Sequence, residues 1–61
     1  MDKKVNPSQI TFGDTVIINH EPMMVKAVEG PDRIGTYELY VVDRTGRDRV
    51  EIIAEPITLH L

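Results

Sequence analysis

The side chains with chemistry to offer are two histidines, one serine, ten acids and seven bases, and their spacing brings few of them together. His20 and His60 lie forty positions apart, with no third histidine and no cysteine to complete a ligand set. Thiolate metal sites and disulfides are therefore excluded, and no metal or cofactor is expected. Ser8, the single serine, stands near the start of the chain, without a histidine and acid at the spacing that nucleophilic catalysis needs. Paired carboxylates for acid–base work need a concave pocket, which a small domain filled by its own side chains does not leave. No enzyme is expected.

Arginine is the residue most suited to an anion. Arg44, Arg47 and Arg49 cluster in one short stretch, and Arg33 precedes them. Asp43 and Asp48 interleave with the cluster, so three bases against two acids leave Asp43–Arg49 at +1, and Asp32 neighbours Arg33. Such a stretch reads as a self-paired, solvated hairpin, with phosphate contact as the alternative. Tyr37 and Tyr40 lie too far along the chain to interleave as base-stacking platforms. The whole chain carries a formal charge of −3, which disfavours a general nucleic-acid binder. The acids are scattered, which weakens a third reading as an acidic mimic of nucleic acid.

The elements that hold these residues are short. Pro7, Gly13, Pro22, Gly30-Pro31, Gly35, Gly46 and Pro56 cut the sequence into runs rich in β-branched and aromatic residues. Strands are predicted near 15–19, 23–29, 36–43, 49–54 and 57–61. Proline breaks every stretch that could hold a helix, apart from one turn at 7–10 with Asn6 as its cap. Asn19-His20 suits a tight hairpin, because Asn tolerates positive φ. Gly46 serves a longer hairpin, and 30–35 a glycine-hinged loop. Residues 1–9 are expected to be a flexible segment and 10–61 one small domain. No repeat and no low-complexity segment is expected.

Alternation sorts the faces. Val16, Ile18, Met23, Val25, Ala27, Tyr37, Leu39, Val41, Val50, Ile52, Ile57, Leu59 and Leu61 form the expected core. The opposite parity holds Ile17, Met24, Val28, Tyr40, Val42 and Ile53, more apolar than a solvated face should be. Either a strongly coiled barrel buries parts of both faces, or Ile17, Met24, Tyr40, Val42 and Ile53 line a partner interface. At 61 residues and 6.9 kDa a domain without cysteine is expected to rely on core packing, with help from a second copy of itself.

The stretch Gly13-Asp14-Thr15-Val16-Ile17-Ile18-Asn19-His20-Glu21-Pro22-Met23-Met24-Val25 resembles the opening of the N-terminal domain of elongation factor P. That family opens on a glycine, a strand, a tight turn, a Glu-Pro and a valine-bearing strand. The resemblance covers about half the chain and implies a small five-stranded SH3-like barrel; a strongly bent antiparallel sheet is the alternative. The family's next loop presents a modified lysine between glycines. Here it reads Gly30-Pro31-Asp32-Arg33-Ile34-Gly35-Thr36, without lysine, so the ribosomal role does not carry over.

The expected fold class is therefore all-β, and the expected function a non-catalytic binding module acting by protein–protein contact, including a homodimer. Its style is that of phage-encoded accessory or host-modulating proteins. A nucleic-acid- or ribosome-associated module, through Arg33, Arg44, Arg47 and Arg49, is the runner-up. No apolar run approaches the ~20 residues of a membrane span and no signal-peptide core follows Lys3-Lys4, so a cytoplasmic location is expected.

Overall fold

The fold is seen in a computed structural model that describes residues 2–61. Six strands follow in order: β1 (Asp2–Val5), β2 (Thr15–Ile18), β3 (Glu21–Glu29), β4 (Tyr37–Val42), β5 (Asp48–Ile53) and β6 (Ile57–His60). A single 3-10 turn, Pro7–Gln9, lies between β1 and β2. All pairs are antiparallel, in one sheet of order β1-β6-β2-β3-β4-β5. The protein is all-β, and its sheet is not closed: β1 and β5 are its two edges, so the expected barrel is absent.

Local chemistry accounts for the connections. Asn6 caps the 3-10 turn as its sequence suggests: its Oδ1 accepts from the Ser8 amide at 3.1 Å, and Gln9 Oε1 accepts from the Asn6 amide at 3.1 Å. Asn19 and His20 both have positive φ, 52° and 67°, the backbone of a two-residue turn whose twist matches the strands it joins.

The start of the chain corrects the expected flexible segment 1–9. Asp2–Val5 pairs with β6 in the register Val5↔Ile57 to Asp2↔His60, and Val5, Pro7 and Ile10 are buried. A segment of three charged residues and one valine, with no alternation to mark it, becomes a strand because β6 offers it an edge. Met1 lies outside the described residues.

The core is Val5, Ile10, Val16, Ile18, Met23, Val25, Leu39, Val41 and Ile57, with Val28, Tyr37, Ile53 and Leu59 packed around it. Val16, Val25 and Leu39 are completely excluded from solvent. A flat single sheet could not do that, so the sheet curls over its own inner face. Its shortest extent, 19 Å, agrees with that, since packed layers lie about 10 Å apart.

Two parts of the expected core face the other way. A bulge between Val25 and Ala27 shifts the register, so that Val25 opposes Val41 but Ala27 opposes Tyr40 and Val28 opposes Leu39. One extra residue, Lys26, reverses the parity of everything after it. Ala27 is therefore exposed, and Val28 packs on the core. On β5 the inner residues are Arg49, Glu51 and Ile53, opposite Val41, Leu39 and Tyr37. Val50 and Ile52 stand outside at 51% and 61% exposure. Leu61, past the end of β6, is also exposed.

Candidate binding surface on the outer face

Two turns set the phase of the strands that carry the surface, and they are built alike. In Asp32-Arg33-Ile34-Gly35-Thr36 the Asp32 amide donates to the Thr36 carbonyl at 3.0 Å, and the Gly35 amide to the Asp32 carbonyl at 3.1 Å. Asp32 Oδ1 accepts from the amides of Ile34 and Thr36 at 3.0 and 2.9 Å. In Asp43-Arg44-Thr45-Gly46-Arg47 the corresponding backbone distances are 3.0 and 2.9 Å, and Asp43 Oδ1 accepts from the Thr45 and Arg47 amides at 2.9 and 3.0 Å. Gly35 and Gly46 take the left-handed φ, +83° and +85°, that each turn requires. The shared Asp-Arg-x-Gly spacing is a repeat legible in the sequence, and it was missed because each copy is only four residues long.

The third position separates them. Thr45 adds a hydroxyl donor to Asp43 Oδ1 at 2.6 Å, and this bond, with the backbone donors, holds the Asp43 carboxyl below its ordinary value. Ile34 instead projects an apolar side chain that is 84% exposed.

These turns also decide the fate of the arginines. Arg33 and Arg44 occupy equivalent positions at opposite ends of β4, roughly 20 Å apart by strand rise. Arg47 closes the second turn, and Arg49 lies on the inner side of β5, its Nε 3.8 Å from Glu51 Oε2. The fold does not gather the four into one anion site.

The outer face does gather apolar residues. Tyr40 opposes Ala27 on β3 and Val50 on β5, while Ile52 opposes Glu38. Met24 and Val42 pair further along, and Ile17, half-buried opposite Pro22, flanks them. An open groove runs between Lys26, Ala27, Tyr40, Asp48 and Val50. Charges frame it: Lys26 Nζ meets Asp48 Oδ1 at 3.4 Å at one end, and the Tyr40 hydroxyl donates to Glu38 Oε1 at 3.3 Å at the other. The Glu38 carboxylate, then partial desolvation, push the Tyr40 phenol above its usual value, with Glu29 adding to it.

Of the five expected interface residues, Met24, Tyr40 and Val42 meet on this face and Ile17 borders it. Ile53 does not join them: it packs against the core on the inner side. Val50 and Ile52, expected inside, take its place. Phe12, 72% exposed between the 3-10 turn and β2, is a further exposed apolar residue that alternation alone could not place.

The groups considered for catalysis or metal binding are dispersed. His20 is a turn residue, and His60 Nδ1 pairs with Asp2 Oδ1 at 2.7 Å across the β1–β6 pair. The Ser8 hydroxyl donates to Asn6 Oδ1 at 3.1 Å within the capped turn. Among the described residues no three His, Cys, Asp or Glu side chains cluster as a metal site, and no helix is long and apolar enough to cross a membrane. No protein-family model, curated protein or solved structure matches the chain.

Proposed function

We propose that this chain is a non-catalytic binding module that engages another protein, or a second copy of itself, through the outer face of β3, β4 and β5. One observation carries the reading: Met24, Tyr40, Val50 and Ile52 are large apolar residues exposed together on one face, while the inner face is filled by the chain's own side chains. Monomers seldom leave such a group uncovered. An aromatic residue with a polar tip near its centre is also the side chain that protein interfaces favour. The arginines, spread over two turns and the inner side of β5, lend a nucleic-acid reading no comparable support.

The test is capture from a lysate of the source cell on the immobilised full chain, with wild type beside Tyr40→Glu. A protein held by the wild type and lost with Tyr40→Glu, at unchanged circular dichroism, is the expected result. Capture indifferent to Tyr40→Glu overturns the reading.

A further inference from the structure

β5 is an open edge whose sequence is complementary to itself in one register. The Asp43 amide bonds the Arg47 carbonyl, which makes 43↔47 a hydrogen-bonded pair of the β4–β5 hairpin. Antiparallel pairs alternate, so Val41↔Arg49, Leu39↔Glu51 and Tyr37↔Ile53 are bonded pairs too. The backbone groups of Asp48, Val50 and Ile52 therefore point away from β4, towards the unoccupied side of the edge.

Natural edges are usually blunted by charge, proline or bulges. β1, the other edge, carries the adjacent pair Lys3-Lys4. β5 has no proline and no bulge, and its charges alternate in sign: Asp48, Arg49, Glu51. Antiparallel pairing of β5 with a second β5 must centre on one of its residues. Centring on Asp48, Arg49 or Glu51 sets like charges directly opposite, and centring on Ile52 or Ile53 leaves at least half the strand unpaired. Centring on Val50 places Arg49 opposite Glu51 of the second copy, twice by symmetry, in the non-hydrogen-bonded positions where side chains approach most closely. It also sets Val50 against Val50 and joins the outer apolar strips of the two copies.

We propose that two copies of this chain pair β5 to β5 about a two-fold axis at Val50, forming one continuous sheet with six strands from each copy. Each Arg49 exchanges its same-strand neighbour Glu51 for the Glu51 of the other copy. The inference rests on the binding-module reading and names what occupies its edge. A contact of five residue pairs is small, so the association is weak and concentration-dependent.

Sedimentation equilibrium of the full chain up to about 1 mM tests it, above the dissociation constant expected of such a contact. The mass should rise from 6.9 kDa to twice that value and stop. Arg49→Glu alone and Glu51→Arg alone should each weaken the dimer at least about tenfold, because both symmetric pairs become repulsive. An equimolar mixture of those two variants should associate again, since the acidic edge then faces the basic one. Repair by mixing cannot arise from the bond within one chain. Val50→Pro, which removes an outward amide that β4 does not use, should give a folded monomer and decides the matter if Glu51→Arg fails to fold. A chain that stays at 6.9 kDa, a dimer indifferent to Arg49→Glu, or a mass that grows beyond two copies overturns the proposal. A monomer whose captured protein is lost with Tyr40→Glu overturns the edge pairing alone. A dimer with Tyr40-independent capture overturns only the outer-face reading.

Discussion

Leu39 and Tyr40 are adjacent in the chain and end in opposite environments, one sealed against Val28, Val25 and their neighbours, the other beside Val50 over an open groove. The inner face contains no buried polar or charged residue and no buried side-chain group without a hydrogen-bond partner among the described residues. It is complete in a single chain. The outer face mixes Tyr40, Val50, Ile52 and Met24 with Glu38, Lys26 and Asp48, and its apolar part has nothing over it. Both faces hold comparable apolar residues, so hydrophobicity alone does not distinguish the one that folds from the one left for contact. What distinguishes them is that the curl of the sheet covers only one side.

The largest expected effect is the contrast between those two neighbours. Leu39→Glu buries a charge with no partner and should abolish the cooperative unfolding transition, whereas Tyr40→Glu should keep it. Thermal denaturation followed by circular dichroism reads both. If Tyr40→Glu unfolds the chain, the face assignment collapses. Leu39→Ala should cost about 2–5 kcal/mol in urea unfolding, through lost burial and the cavity left behind. The bulge sharpens the comparison on a smaller scale: Val28→Ser should destabilise by about 1–2 kcal/mol and Ala27→Ser by less than about 0.5 kcal/mol. Equal effects at these two positions would mean that the parity does not switch at Lys26.

The smallest effect concerns the turn that phases β5. Because the folded Asp43 carboxyl lies below its ordinary value, its stabilising contribution is complete above that ordinary value and fades as pH falls through the folded one. The urea midpoint of Asp43→Ala should therefore lie below that of wild type at neutral pH, and the two should converge in acid. A gap that widens in acid would contradict the sign.

Much of the local structure was legible in the residues. The Asn6 cap, the Asn19-His20 turn and the glycine at position 46 each follow from backbone preferences acting over a few residues, and the strands β2 to β6 lie close to where alternation puts them. The interface set was legible only in part. Met24, Tyr40 and Val42 share a face because Met24 opposes Val42 ahead of the bulge and Tyr40 lies two residues from Val42 on β4, whereas Ile53 exchanged places with Val50 and Ile52 at the β4–β5 turn. The repeated Asp-Arg-x-Gly pattern held the clue, since a three-residue loop closed through the glycine sets which residues of the next strand face inward.

By itself the sequence determined that the chain is all-β, where its turns fall, and that it holds more apolar residues than one inner face consumes. Those properties are local or additive, and propensity and composition suffice to read them. Only the tertiary structure decided that Asp2–Val5 is a strand, that Lys26 is an extra residue within β3, and that β5 is left as an open edge. Each of these depends on a partner distant in sequence, and strand pairing is a property of two segments that neither carries alone. A register shift of one residue inverts a whole face at almost no local cost, so nothing short of the assembled sheet selects which side is buried.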